Sequence, residues 1–230
     1  MPAELSILMP VYNEEATIER AIQRVLDADL GTDSFELVIV DDGSTDRTKD
    51  LLSGREWPDQ VRITYAAENR GKGQAIRTAL AEAQGTYSVI LDADLEYDPN
   101  DLRDLLAPVR DRVADAAFGT RAFRAHSAYS FWYVMGNRAL SMATNVIFNT
   151  WITDVYTCFK LMPTELMRSL SLREDGFTIE AEITGRLLRT GARIYEVPIT
   201  YVARRREEGK KIRPSDGLRG LLTLLRIRFS

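Results

Sequence analysis

Apolar and polar positions fall into alternating blocks along the first half of the chain. Residues 5–12 ("LSILMPVY") form an apolar run of strand length, and Ile18, Ala21, Ile22, Val25 and Leu26 then recur at helical spacing. Asn13 is placed to cap that helix, and Glu14 and Glu15 in its first turn suit the helix dipole. The block repeats. Residues 35–40 read as a strand ending in "DDGSTDRT", where Ser44 or Thr45 can cap a helix running through Leu52. Residues 61–67 read as a third strand, followed by a loop and helix in "ENRGKGQAIRTALAEA". Residues 86–94 read as a fourth strand, followed by a helix interrupted by Pro108, and residues 115–120 as a fifth strand. Strands alternating with helices of this length predict an α/β fold, a mostly parallel sheet flanked by helices. In such sheets ligands gather at the carboxyl ends of the strands, where "DDGS" and "DAD" both fall.

After Thr120 the pattern changes. Residues 129–150 read as one or two helices, 154–162 as a turn and strand, and 163–170 and 177–190 as helices. Residues 192–202 read as a strand. A polar segment and a C-terminal amphipathic helix from Leu218 to Phe229 follow. Within the second helix, Glu180 and Glu182 lie about 200° apart, so only one is expected to face a site and the other to be a surface charge. No internal repeat or sharp domain boundary is visible. The expected organisation is one domain over 1–203, in halves 1–120 and 121–203, with an extension over 204–230.

Composition narrows the classes. The chain has 230 residues, 45% hydrophobic and 28% charged, as in an ordinary globular protein. One cysteine, Cys158, excludes an internal disulfide and reads as a small buried residue in a reducing compartment. One histidine, His126, excludes a site needing two. No signal peptide is visible. No apolar run reaches the ~20 residues of a spanning helix, so the expected location is cytoplasmic, peripheral at the cytoplasmic membrane face. Residues 204–230 carry nine Lys or Arg against three Asp or Glu; with the whole chain at −4, the preceding body carries −10. A basic tail on an acidic body predicts contact with phosphates or an anionic surface, or a solvated helix face.

The sharpest chemical signal is "VILDADLEYDPND", residues 89–101. Asp92 and Asp94 flank a small residue at the end of a buried strand. If the chain turns there, both carboxylates lie near one point, where Mg²⁺ or Mn²⁺ suits their hard oxygens. Asp98 and Asp101 read as the turn and cap of the next helix. "VDDGSTD" offers carboxylates to a ribose or base edge, or serves simply as a turn. "NRGKGQA", with Lys72, is a basic glycine-bearing loop suited to cradling phosphate, although it lacks the spacing of a P-loop.

Together "ILMPVYNEEATI", "LVIVDDGSTDRT", "NRGKGQAIRTAL" and "VILDADLEYDP" resemble family 2 glycosyltransferases of the GT-A fold. The likeness continues through "FGTR", "GNRAL", "DVYTCFK" and "IYEVPITY". It is closest to the dolichol- or polyprenyl-phosphate mannosyltransferase-like branch. The resemblance implies a donor site against Pro10, Tyr12, Glu14 and Asp42, and a metal held by Asp92, Asp94 and Glu96, with Glu96 either on the ion or just behind it. It also implies an acceptor-phosphate site at Arg121, Arg138 and Ser141. Arg204, Arg205, Arg206, Lys210 and Lys211 would form a segment closing over the phosphates. The implied reaction is inverting transfer of a hexose to a polyprenyl or dolichyl phosphate at a membrane surface. Mannose from GDP-mannose is the first donor and glucose from UDP-glucose the second.

A phosphate acceptor is already anionic at neutral pH and needs no base. The catalytic weight then rests on Asp94, Arg121 and Arg138. A saccharide hydroxyl would need one, with Glu180 or Glu182 the candidates. A non-catalytic nucleotide-sugar-binding module is the alternative of another class. Nucleic acid is not expected as a partner; a membrane-protein partner or a second copy is allowed.

Overall fold

The structure, a computed structural model, describes residues 3–121, 131–203 and 214–230. His126 and the basic segment from Arg204 to Lys211 lie outside them. The described elements run in the order β1 (Leu5–Val11), α1 (Ile18–Asp27), β2 (Phe35–Asp41), α2 (Thr48–Ser53), β3 (Val61–Tyr65), α3 (Lys72–Glu82), β4 (Tyr87–Ile90), α4 (Leu102–Arg110) and β5 (Ala116–Thr120). The order continues α5 (Phe131–Phe148), β6 (Lys160–Pro163), α6 (Thr164–Ser169), α7 (Ile179–Arg189), β7 (Ile194–Pro198) and α8 (Pro214–Phe229).

The strands form one sheet in the order β3-β2-β1-β4-β6-β5-β7. Only β6 runs against its neighbours, so the sheet is mostly parallel as the alternating pattern predicts. Strands β1 and β2 are buried almost throughout, because helices cover both faces of a parallel sheet. Their registers pair Val11 with Asp41 and Leu8 with Ile90. The carboxyl ends of β2, β1 and β4 therefore lie side by side. Consecutive motifs far apart in sequence meet on that rim.

Several local expectations are corrected. Helix α1 begins at Ile18 with Thr17 before it, and Asn13 does not cap it. Asn13 instead sits at φ +52, a left-handed conformation that asparagine tolerates. From there its amide N–H donates to Ser44 Oγ (2.9 Å), and its side-chain oxygen accepts from Thr45 N (2.8 Å). That bridge occupies Ser44 and Thr45, and Asp46 accepts from Thr48 N (2.9 Å) where α2 begins. Pro108 does not interrupt α4; the helix runs through it to Arg110, at the cost of one internal hydrogen bond near its end. Asp98 does cap the short turn over Pro99–Asp101, accepting from Asn100 N (3.1 Å). Asp101 is 5% exposed and accepts from Thr200 N (2.7 Å), tying this turn to the segment after β7.

Residues 131–148 form a single helix. With α7 and α8 it encloses a second small core of Leu140, Ile152, Val155, Ala181 and Leu224. Helix α8 is held there: Arg189 donates to the Ile227 carbonyl (2.8 Å) and Arg228 to that of Ile147 (3.1 Å). No helix among the described residues is long and apolar enough to cross a membrane.

Candidate functional site

Strand β4 ends at Ile90, earlier than its apolar run predicts, and the chain turns through Asp92 and Asp94. Ala93 points into the core at 2% exposed, as expected of the residue between two outward carboxylates. Leu95 adopts φ +64, which no branched side chain favours, and this bend sets the direction of the acidic segment. Asp94 accepts from the Glu96 amide (3.1 Å). Burial raises the Cys158 thiol, and the nearby charge of Asp92 and, less, of Asp94 adds to that rise. Cys158 is thus a buried thiol held protonated.

Asp92 already faces a cation of the protein itself. Lys72, at the start of α3, donates to Asp92 Oδ2 (2.8 Å) and pairs with Glu180 Oε1 (2.9 Å). Glu180 in turn accepts from Lys160 Nζ (2.5 Å), which also donates to the Thr157 carbonyl. The result is a row of alternating charge, Lys160–Glu180–Lys72–Asp92, buried at its Lys160 end and partly exposed at Asp92. Burial alone would lower the Lys72 ammonium, but Asp92 and Glu180 outweigh it and hold the group well above its ordinary value. Burial alone would raise Glu180, but Lys160 and Lys72 hold its carboxyl below the usual range. Lys160 is lowered by burial, with Glu180 opposing.

Glu182 corrects the expectation of a surface charge. It is fully buried, accepting from the backbone N–H groups of Arg173 (2.8 Å) and Glu174 (2.7 Å) and pairing with Arg186 (2.7 Å). Helical angles separate the two side chains as expected. Loop 173–176 covers the second face, so neither is open to solvent.

The same loop explains the glycines of "NRGKGQ". Gly73 N donates to the Asp175 carbonyl (2.6 Å), and a Cβ at Gly73 would stand 2.0 Å from the Glu174 carbonyl oxygen. Gly71 and Arg70 donate to the Asp42 carboxylate (2.7 and 3.0 Å). These backbone N–H groups are therefore spoken for, and the loop is no open phosphate cradle. The glycines permit close packing, and what the loop delivers to the rim is the Lys72 ammonium. Asp42, buried and raised by that burial, braces the loop at the end of β2. Pro10, Tyr12 and Glu14 lie half-buried at the end of β1 beside it.

Arg121, just past β5, grips Asp154 through two bonds of 2.7 Å each, and Asn137 donates to the same carboxylate (2.8 Å). Its guanidinium lies 5.0 Å from the Tyr201 ring centre, and the Tyr201 hydroxyl donates to Glu96. Glu96, Tyr201, Arg121 and Asp154 thus form a continuous chain from the acidic turn to α5. Asp92, Asp94 and Glu96 do not converge as a three-ligand group among the described residues. The other expected acceptor residues part company: Arg138 is exposed on the outer face of α5, while Ser141 is buried and accepts from Val155 N (3.2 Å). Sequence reasoning missed Asp154 and Lys160, although both lie in "DVYTCFK", and Tyr201, which ends "IYEVPITY".

As a donor set, Asp92 and Asp94 fit a hard divalent cation that completes its shell with phosphate oxygens and water. Two carboxylates past the end of β4, one of them paired with the Lys72 ammonium that the buried Glu180 also holds, suit an anionic ligand brought in with a cation.

Comparison with known proteins places the chain among glycosyltransferases. The chain is 29% identical to the glycosyltransferase AglJ of Haloferax volcanii over 214 residues, covering 88% of this chain and 64% of that protein. It is 26% identical to the dolichol-phosphate mannosyltransferase of Pyrococcus furiosus, covering 90% of this chain and 59% of that one. The chain therefore spans roughly three fifths of these relatives. Among solved structures it resembles glucosyl-3-phosphoglycerate synthase from Mycobacterium tuberculosis, in a complex with Mn²⁺, UDP and glucosyl-3-phosphoglycerate. There the TM-score is 0.70 at 22% identity, over 98% of this chain and 80% of that one. It also resembles S. aureus TarS in complex with UDP-GlcNAc, with a TM-score of 0.66 at 17% identity, over 97% and 66% of the two chains. These likenesses establish the GT-A fold. Residues 6–170 match the family described as glycosyl transferase family 2, and the chain belongs to that family.

Proposed function

We propose that this chain transfers a hexose, with inversion, from a nucleotide diphosphate to a polyprenyl or dolichyl phosphate at a membrane surface. GDP-mannose is the first donor to test and UDP-glucose the second. The observation that carries the acceptor class is the state of the two α7 carboxylates. A saccharide hydroxyl needs a base within reach of its proton. Glu180 is locked between two ammonium groups, and Glu182 is fully buried under a loop. A phosphate monoester is its own nucleophile, so it fits a site whose acids are engaged elsewhere.

In this reading Asp92 and Asp94 would hold Mg²⁺ or Mn²⁺, which when bound would supply positive charge to the diphosphate oxygens. Lys72 stands beside them as a second positive charge for the same oxygens. Arg121, oriented by Asp154 and Asn137, receives the acceptor phosphate. Pro10, Tyr12, Glu14 and Asp42 frame the nucleoside, and Arg204, Arg205, Arg206, Lys210 and Lys211 close over the phosphates. An acceptor oxygen attacks the anomeric carbon as the bond to the nucleotide diphosphate breaks. The name of the Pyrococcus furiosus relative and the Mn²⁺ and UDP in the mycobacterial complex support this reading.

A lipid acceptor demands contact with the bilayer. Helix α5 exposes Phe131, Met135, Met142 and Val146 at intervals that fall on one face, and α8 exposes Leu218, Leu222 and Phe229 in the same manner. Arg138, Arg219 and Arg228 stand among them, the pattern of a basic interfacial surface.

The test incubates the protein with Mn²⁺, labelled GDP- and UDP-sugars, and vesicles containing polyprenyl phosphate. Label is expected in an organic-soluble, mild-acid-labile lipid, and Asp94→Asn is expected to abolish it. Label reaching only water-soluble glycans would overturn the acceptor class. Nucleotide-sugar binding without transfer to any acceptor would favour a binding module.

A further inference from the structure

The Lys72 ammonium sits where a cation is wanted. It is 2.8 Å from Asp92 and 2.9 Å from Glu180, and its side chain is 12% exposed. A lysine at the head of a helix is usually free to reach solvent. Here α3 is pinned by Gly73 against loop 173–176, so the first turn has little room to swing. Glu180 is itself fixed from behind by Lys160, which is fully buried. The ammonium is therefore placed by a rigid relay of three elements, α3, α7 and β6. A simple structural ion pair would need only one carboxylate.

We propose that Lys72 is a resident counter-cation of the acidic turn. It neutralises Asp92 while the site is empty, and it transfers its charge from Asp92 to the diphosphate oxygens when donor binds. Glu180 and Lys160 are positioning residues that keep the ammonium within reach of both. The inference rests on the metal-site reading above and deepens it. Its physical basis is competition. An ammonium at hydrogen-bond distance from a carboxylate oxygen opposes a divalent cation at that oxygen, while the same ammonium assists once phosphate oxygens are present. Metal affinity is thereby low without nucleotide and high with it.

The consequence is a change of sign that a structural role does not produce. Mn²⁺ binding to the nucleotide-free protein is measured by electron paramagnetic resonance, and binding of GDP and UDP is measured with Mn²⁺ present. Lys72→Met is expected to tighten Mn²⁺ binding to the nucleotide-free protein by about tenfold, since a partly screened unit charge is removed from beside a ligand. The same substitution is expected to weaken binding of the preferred nucleotide by about tenfold, as a charge-assisted contact is lost. Lys72→Gln, closer in polarity, should move both quantities in the same directions and guards against a folding defect in the methionine variant. Weaker or unchanged Mn²⁺ binding in both folded variants, with Asp92→Asn still weakening it, would overturn the counter-cation and leave the metal site standing. Mn²⁺ binding unaffected by Asp92→Asn and Asp94→Asn alike would overturn the metal site, and this inference with it.

Discussion

Gly73 shows how one residue couples two parts of the molecule. Its missing Cβ lets the start of α3 meet the carbonyls of Glu174 and Asp175, and that contact sets the position of Lys72. A methyl group there meets backbone, which cannot rotate aside. Gly73→Ala is therefore expected to destabilise the fold by about 3 kcal/mol, read by denaturant unfolding. A midpoint within error of the parent would refute this account of the glycine. The contrast with Gly136 is useful, because nothing lies within 4 Å of a Cβ built there. An alanine at that exposed helical site should be neutral or slightly stabilising.

At the scale of elements, the joint between β5, α5 and the 153–156 segment depends on one buried ion pair. Asp154 is held below the ordinary carboxylate range: burial would raise it, but Arg121 outweighs that, with Asn137 and the Arg121 N–H assisting. A depressed carboxyl stabilises the fold above its unfolded value, about pH 4, and that contribution disappears as pH falls through the folded value. Glu180 has the same sign, while Asp42, raised by burial, works in the opposite direction. The melting temperature is thus expected to hold from neutral pH down to about pH 4 and to drop below it. In Asp154→Asn it should start lower, by about 3 kcal/mol of lost stability, because Arg121 keeps a buried charge without its partner. Its further decline in acid should be shallower than the parent's. An equally steep acid limb in the variant would show that Asp154 does not titrate in this way.

The whole molecule places two exposed apolar stripes on packed helices away from the sheet's core. Trp132, Val146 and Leu222 are 79, 77 and 57% exposed, so none contributes much to the fold. Replacing all three by serine should leave the melting temperature unchanged. Partition onto anionic vesicles should fall by about 100-fold, at roughly 1 kcal/mol for each side chain no longer buried in lipid. Unchanged vesicle binding would remove the membrane face from the account. A change of oligomeric state in the variant with vesicle binding unchanged would assign the stripes to contact between copies instead.

Much of this architecture was legible along the chain. Continuous apolar runs marked the strands and period-3.6 apolar patterns the helices around the rim, because a parallel sheet covered by helices buries both of its faces. The placing of Asp92 and Asp94 just past an apolar strand was legible too, because the buried run ends where the charges begin. Caps and turns were less so. Asn13, Ser44 and Thr45 bond across two loops, and local spacing does not reveal a partner 31 or 32 residues away. The burial of Glu180 and Glu182 was hidden for the same reason. Helical geometry correctly separated the two side chains, but only the packing of loop 173–176 and of Lys72 and Lys160 covered both. Sequence determined which residues carry charge and which elements end on the rim. Tertiary structure decided which charges neutralise one another, because ion pairing depends on distance and burial, and neither is written in the order of residues.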